Sequence, residues 1–387
     1  MAVYRLLSYD ITGTQFRGEI PFSSLTFGDV LNRPGSLDAS IPARAAEASR
    51  SYLEPGATTL WITRGEDLVW GGIVWAWKRD LSENPEVRVA AAGPMSYYRE
   101  GRRTIRSDAT FTSTDQMSIV ASLFTTAHAD TSNTTRPNPL GVSVNLYPSL
   151  SGTLRTLSYL GRDRKPIGET VEALSAMSDG FDINTRSSWN TAAIPPHPET
   201  SIEVCYPYQG TPTPIVWAHG HDVLLAPVEV DATKVASFIE AIGGDAGAGT
   251  VIGAASTPLG TYIEGTITVS DETNVGTLAT FAEGELDRRL APPVTTTAVL
   301  LDPDRWPLGS WNLGDQVWVS AQDTGVSIEG YYRIVAWTCK IDQNGLDVIE
   351  VTLCEGLPLG RPILPPSLRL AQEDRDLVRR VERLEHS

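Results

Sequence analysis

The sequence predicts a β-rich α+β protein built from several small domains. Gly and Pro number 33 and 26 among 387 residues, a frequency that favours many turns between short strands. Val, Ile, Thr, Tyr and Trp, which are enriched in strands, fill the segments between these turns. The chain is also longer than one hydrophobic core usually supports. We therefore expect two small β-barrel domains, an intervening helix-containing domain and a short C-terminal helix.

Residues 1–104 are predicted to form the first barrel. The segment begins with the strand AVYRLLSYD and turns at NRPGS. TTLWIT and DLVWGGIVWAWKRD then form a hairpin that turns between Arg64 and Asp67. Gly71 and Gly72 interrupt its second strand, which predicts a bulge or a sharp bend of the kind that barrels need at corners.

In residues 105–198, the spacing of apolar residues changes to that of an α-helix. TDQMSIVASLFTTAHA begins at Thr114 or Asp115 as the N-cap and places apolar residues three and four positions apart. PIGETVEALSAMSDGFDI has Pro166 near its start and Gly180 as the expected C-terminal cap. We expect two amphipathic helices that cover a sheet.

Residues 199–357 return to short strands and are predicted to form the second barrel. The strands DQVWVSAQ, GYYRIVAWTCKID and DVIEVTLCE alternate in polarity and are joined by short turns, which predicts a β-meander. One helix, at about 273–290, is inserted before the meander.

The last segment consists of a Pro-rich linker, 358–367, and a helix, 368–387, without Gly or Pro. Four apolar residues occupy heptad core positions in this helix, and Asp374 interrupts the seam. Because an isolated helix of this length is marginal in water, we expect it to associate with copies of itself, with docking on its own domain as the alternative. The predicted oligomerisation residues are Leu370, Leu377, Val381 and Leu384.

The net charge of −16 is concentrated in one part of the chain. Residues 199–287 contain 13 acidic residues and one basic residue, Lys234. Such a surface repels nucleic acid, which is normally bound by clustered Lys and Arg, and a solubilising face is the simpler interpretation. Against this trend, YYREGRRTIR carries Arg99, Arg102, Arg103 and Arg106, which could grip phosphates or form salt bridges.

The sequence contains no catalytic or nucleotide-binding motif of high specificity. GxSxG, HExxH and GxxxxGK[ST] are absent from it. GAGTVIG, with Gly247, Gly249 and Gly253, resembles a dinucleotide-binding turn, but the following Thr, Val and Ile favour a strand and hence a hairpin loop. We expect no cofactor. We also expect no membrane insertion, because the sequence contains no run of about 20 apolar residues. Arg5 and Asp10 also leave no room for a signal-peptide apolar stretch.

Three weaker groupings have simple structural interpretations. His219 and His221 would face one side of a strand beside Asp222, but a metal site needs three or four ligands, so exposed turn residues are favoured. Asp302 with Asp304, or Glu283 with Glu285, could form a glycosidase pair, although Asp-Pro-Asp favours a turn. The widely spaced Cys205, Cys339 and Cys354 indicate neither a disulfide framework nor a zinc site.

Four segments together resemble one known family: NRPGSLDASIP, LEPGATTLWITRGEDLVWGGIVW, WNLGDQVWVS and GYYRIVAWTCKIDQNGLDVIEVTL. They are similar to the minor tail proteins of long-tailed phages of actinobacteria (siphoviruses), which belong to the baseplate-hub or tail-associated lysin group. The resemblance spans roughly residues 1–357, and its most specific residues are expected to be fold markers and not catalytic groups. These are Trp70, Gly71, Gly72, Trp311, Gly314 and Asp315.

The resemblance implies a structural protein of the virion tail tip, assembled in the cytoplasm of the bacterial host. It implies a homotrimeric ring of two hub barrels per subunit, below the hexameric distal tail protein, through which the tape measure protein and then DNA leave. Other minor tail or receptor-binding proteins would dock on it. Seven residues of the acidic stretch become candidates for a lumen that DNA passes without specific binding: Glu229, Asp231, Glu240, Asp245, Glu264, Asp271 and Glu272.

The resemblance also implies that the protein is not an enzyme, because the chain stops after the predicted helix, where many relatives carry a peptidoglycan-cleaving extension. A carbohydrate-active or glycan-binding β-barrel protein acting on the cell wall is the alternative, and the ten Trp residues are its main support. A hub of a contractile injection system is a third interpretation that the sequence leaves open.

Overall fold

The computed structural model describes residues 3–80, 85–129, 142–226, 229–230, 232–245, 250–257, 261–270, 272–290, 294–323 and 326–355. The strands of the first half are β1 (Tyr4–Asp10), β2 (Phe16–Ile20), β3 (Ser24–Val30), β4 (Arg33–Pro42), β5 (Thr58–Arg64), β6 (Asp67–Arg79), β7 (Glu86–Ala92), β8 (Ala109–Asp115), β9 (Val142–Tyr147), β10 (Leu154–Tyr159), β11 (Asp182–Asn190) and β12 (His197–Cys205). Those of the second half are β13 (Pro212–Ala218), β14 (Val223–Leu225), β15 (Glu229–Val230), β16 (Phe238–Asp245), β17 (Thr250–Ser256), β18 (Glu264–Thr268), β19 (Val294–Leu300), β20 (Gln316–Asp323), β21 (Val326–Ile341) and β22 (Asp347–Glu355). The α-helices are α1 (Gln116–Ala129), α2 (Ile167–Ser175) and α3 (Val275–Arg289).

One sheet joins the first and last parts of the chain. Its strands run in the order β14-β19-β22-β21-β3-β4-β7-β6-β5-β1-β2, with β13, β15 and β20 paired off this path. The antiparallel pairing of β21 with β3 forms the seam between the two halves, with Trp337 opposite Asp29 and Cys339 opposite Phe27. Strands predicted to form two barrels are therefore continuous with each other.

A single hydrophobic core follows this sheet across the seam. It contains Phe27 and Trp70 from the first half and Trp217, Trp311 and Trp337 from the second half. The β-rich α+β class is confirmed, but barrel closure is not detected among the described strands.

The predicted hairpin forms as β5 and β6, and its two glycines have a steric cause. A Cβ on Gly71 would overlap the Trp61 indole, and a Cβ on Gly72 would lie 2.6 Å from the carbonyl oxygen of Ala92. The register of β5 with β6 shifts between Ile62 and Thr63, so a bulge lies close to the glycines. The glycines thus let bulky indoles pack directly on the backbone.

The helices α1 and α2 cover the three-stranded sheet β11-β12-β9 and share a second core with it. Asp115 begins α1 as predicted: its carboxylate accepts hydrogen bonds from the N–H groups of Met117 (2.9 Å), Ser151 (3.0 Å) and Gly152 (2.7 Å). Burial would raise the pKa of Asp115, but these hydrogen bonds outweigh it and hold the pKa below its ordinary value.

The prediction for the end of α2 was wrong in detail. Pro166 is the N-cap residue, but the C-cap is Ala176, so the helix ends before Gly180. A Cβ on Gly180 would overlap the carbonyl oxygen of Ser175, which shows that this glycine serves the turn behind the helix.

A small unit is inserted between β15 and β19. Its sheet, in the order β17-β16-β18, packs one face on α3 through a third core that contains Ile239, Ala241 and Leu278. Helix α3 lies within the predicted range 273–290, and the Asn274 side chain caps it by accepting from the Thr277 N–H at 3.1 Å. Because β17 pairs antiparallel with β16, the hairpin interpretation of GAGTVIG is confirmed, although Gly247 and Gly249 lie outside the described residues.

Candidate functional site

The fold marker Trp311 lies at the centre of an aromatic cluster in the second half of the sheet. Its indole N–H donates to the carbonyl oxygen of Trp306 at 3.2 Å. Its ring meets Trp217 and Trp337 edge to face, with centroids 6.2 Å and 6.4 Å apart. Since Trp337 belongs to the seam strand β21, Trp311 anchors the loop before β20 to the seam.

The neighbouring markers Gly314 and Asp315 fasten the same loop to a second segment. Gly314 has a φ of 88°, and a Cβ there would overlap the carbonyl oxygen of Gln209. The Asp315 carboxylate accepts from the N–H groups of Thr211 at 3.0 Å and Asn312 at 2.9 Å. The Trp-x-Leu-Gly-Asp pattern is therefore explained by packing and hydrogen bonding within the fold.

Sequence reasoning missed a buried ion pair beside these markers. Asp182, 5% exposed at the start of β11, pairs with Arg333 of β21 and accepts from Gln209 N at 2.8 Å and Asn32 Nδ2 at 3.1 Å. The Arg333 guanidinium also donates to the Gly314 carbonyl oxygen at 3.2 Å. We call these five residues the Asp182 junction, because they tie the helix-containing domain to both halves of the large sheet.

Two of the acidic candidates, Glu240 and Glu264, lie in the sheet of the small inserted unit. In the parallel pairing of β16 with β18, Phe238 is opposite Glu264 and Glu240 is opposite Thr266. The alternate residues Ile239 and Ala241 are buried against α3, so Glu240 and Glu264 lie on the opposite, uncovered face of the sheet.

This acidic sheet face also carries apolar groups. The Tyr262 hydroxyl donates to Glu264 at 2.9 Å, and the Tyr262 ring lies 5.7 Å from that of Phe238. The hydrogen bond to Glu264 raises the pKa of Tyr262, with smaller contributions from its desolvation and from the charges of Glu264 and Glu240. The face is thus partly apolar as well as negatively charged.

The remaining predicted residues are dispersed or lie outside the described part. Glu272 accepts from the N–H groups of Thr273 and Asn274 just before α3, while Glu229 and Asp245 belong to β15 and β16. The positions outside the described residues are Asp231, Asp271, Leu370, Leu377, Val381 and Leu384.

The arginine cluster is largely engaged within the protein. Arg99 pairs with Glu172 of α2 at 3.2 Å, and Arg102 pairs with Glu100 at 2.6 Å while its guanidinium lies 4.0 Å from the Trp75 ring centroid. The salt-bridge interpretation therefore holds for these two arginines, with partners inside the chain.

Most carboxylates of the two candidate glycosidase pairs make contacts within the fold. Asp302 accepts from Asp304 N at 3.1 Å, which is the predicted turn, and Asp304 pairs with Arg64 at 2.6 Å. Glu285 pairs with Arg288 and Arg289. Each of these carboxylates except that of Glu283 is thus occupied by a structural contact.

The two candidate histidines contact nearby groups of the fold, and the cysteines form no disulfide. His219 Nδ1 accepts from Leu225 N at 3.0 Å, and His221 lies 3.2 Å from Asp222. The three cysteines are free. Within the described ranges, no cluster of three His, Cys, Asp or Glu side chains could hold a metal ion, and no helix is long and apolar enough to cross a membrane.

Comparison with solved structures identifies proteins that share this fold. A tail protein from Neisseria meningitidis MC58 is 12% identical with a TM-score of 0.56, over 91% of this chain and 96% of that chain. The 43 kDa tail protein of prophage MuSo2 from Shewanella oneidensis is 13% identical with a TM-score of 0.58, over 91% and 98%. The E. coli c3393 protein, a type VI secretion component described as similar to the T4 phage tail proteins gp27 and gp5, is 12% identical with a TM-score of 0.51, over 89% and 77%. The sequence matches no family model and no curated protein.

Proposed function

We propose that the protein is a structural, non-catalytic component of a phage tail tip, namely a baseplate hub protein. The observation that carries the proposal is that whole tail proteins from two prophage or bacterial sources share its fold over nearly their full length. The sequence resemblance to minor tail proteins of siphoviruses supports the same role, because it rests on four sequence segments and not on the comparison of structures.

In this role, three copies form a ring that closes or lines the tail channel and connects the distal tail protein to tip or fibre proteins during DNA ejection. The continuous sheet across β21 and β3 supports the ring, because strand pairing and a shared core join the two halves of each subunit. The C-terminal heptads would hold the three copies together at the tail axis.

The oligomeric state tests this arrangement directly. Light scattering on the full chain is expected to give about three times 41.9 kDa, and a chain without residues 366–387 is expected to give a monomer. A variant with Leu377 and Leu384 both changed to Asp keeps the full length and is expected to match the truncated chain. A full chain that remains monomeric at high concentration would overturn the ring.

The acidic sheet face is proposed to line part of the channel. Glu240 and Glu264 on an uncovered sheet face would repel a passing DNA strand and so prevent it from adhering. Electron cryomicroscopy of the assembled ring gives the radial position of both residues. The proposal requires them on the inner wall, and a map that places both on the outer wall refutes it.

The fold similarity to a type VI secretion component keeps the contractile injection system as an alternative setting. A gene neighbourhood without sheath genes would favour the long-tailed phage. Zymography on cell walls separates the hub from a wall-cleaving enzyme, because a hub produces no clearing. Asp302→Asn and Glu283→Gln would abolish any clearing that a glycosidase pair produced.

A further inference from the structure

A cavity of about 570 Å³ lies where three parts of the chain meet. The start of β6 provides residues 67–69, β11 provides residues 184–189, and the loop before β20 provides residues 307–313. Asp29 and Trp337 of the seam also line it. The volume is in the range of cavities that hold a ligand or an inserted side chain.

Asp29 has an unusual environment for a carboxylate. It faces Trp337 across the seam, and a Cβ on Gly35 would overlap its Oδ1 atom. Among the described residues it forms no ion pair. Asp29 is half-buried, and the loss of water around it raises its pKa to about 7. The side chain therefore lacks a compensating positive charge.

Other residues of the cavity supply an aromatic ring and acceptor oxygens, which are the groups that bind a planar cation. The half-buried Trp189 lines it, and the indole N–H of Trp189 donates to the Glu66 carbonyl oxygen at 3.1 Å, which fixes the ring. Asp67 and Asn184 add acceptor oxygens. The lining carries two carboxylates, Asp29 and Asp67, against one cation, the exposed Arg186.

We propose that this cavity receives an arginine side chain presented by a partner protein. A guanidinium supplies five donors in a plane, pairs with carboxylates in a forked geometry and stacks on indoles, whereas the ammonium of lysine does none of these as well. A neutral sugar would supply no counter-charge for the carboxylates of Asp29 and Asp67. The inference does not rest on the tail-tip role, since the cavity is a property of the chain itself.

The test uses N-acetyl-arginine methylamide and its neutral isostere N-acetyl-citrulline methylamide. The full-length protein is labelled with 5-fluorotryptophan, and Trp189→Phe identifies the Trp189 signal in the ¹⁹F NMR spectrum. The arginine probe is expected to shift this signal in a saturable manner, and the citrulline probe is not. Equal effects of the two probes, or a shift by N,N'-diacetylchitobiose without one by the arginine probe, would overturn the proposal.

The pH dependence and one variant give independent readouts. Because the bound cation requires ionised Asp29, the affinity for the arginine probe is expected to rise about tenfold from pH 6 to pH 8, while the guanidinium stays charged throughout. Asp29→Asn is expected to abolish this rise and weaken binding, and Asp342→Asn, in an exposed turn, serves as the matched control. The other tryptophan signals report whether Asp29→Asn is folded. Unchanged binding by a folded Asp29→Asn protein refutes the proposal.

Discussion

Arg333→Met tests the Asp182 junction, since it removes the cation and keeps an apolar side chain of similar length. The Asp182 side chain is 7% exposed and that of Arg333 is 18% exposed, so the pair is largely shielded from water. Loss of one partner leaves a buried carboxylate without its counter-charge and typically costs about 3–5 kcal/mol. The carbonyl oxygens of Gly314 and Gln209 also lose a donor, which adds to the loss of stability.

Urea denaturation measures this loss as a shift of the midpoint at unchanged slope. Arg5→Met is the matched control: it breaks the pair with Glu19, in which both side chains are about half exposed, and is expected to cost about 0.2–1 kcal/mol. Combining Arg333→Met with Asp182→Asn removes the unpaired charge. The free energy of unfolding of the double variant should therefore fall by about 1–3 kcal/mol less than the sum of the two single losses. If Arg333→Met costs no more than Arg5→Met, the junction does not hold the units together.

Three further predictions concern single residues. Gly314→Ala is expected to lower the melting temperature more than Gly309→Ala, since both glycines have positive φ but only at Gly314 would a Cβ overlap the backbone; equal losses would contradict this. Because the folded-state pKa of Asp115 is lowered, its contribution to stability is present above the ordinary carboxyl pKa and is lost as the pH falls through the lowered value. Asp115→Asn should therefore reduce the fall in the free energy of unfolding as the solution is made acidic. An unchanged fall would show that other groups dominate the acid dependence. Trp311→Ala is expected to cost about 3–5 kcal/mol in urea denaturation, and a cost below about 1 kcal/mol would mean that the aromatic cluster is not a core.

Elements whose signals are local could be predicted from the sequence. The hairpin of β5 and β6, the Asp115 cap and helix α3 depend on residues within a few positions of each other, and each formed where its pattern indicated. The continuity of the sheet could not be predicted in this way. Alternation in β3 and β21 indicates which residues face the core, but the pattern is the same for any partner strand, and these two strands are about 310 positions apart.

The same limit applies to the sites. Counting charges located the acidic stretch, but the parallel pairing of β16 with β18 decides that Glu240 and Glu264 share a face. Asp182 and Arg333 are separated by 151 positions, and no local pattern around either one indicates an ion pair. Asp29 looks in sequence like an ordinary polar residue of a strand, and only the tertiary packing of Gly35 and Trp337 around it places it, half-buried, beside the cavity.

The fold markers explain why the proposed arginine cavity lies where it does. Trp70 donates to the carbonyl oxygen of Gly28, and Trp311 packs on Trp337, so markers from distant segments converge on the same seam. Close packing of Gly35 and Trp337 on Asp29 leaves the cavity as the open side of its carboxylate. A cation bound at Asp29 would contact both halves of the sheet and bind only the folded chain. It should therefore raise the free energy of unfolding as RT ln(1 + [L]/Kd), an effect that Asp29→Asn should remove.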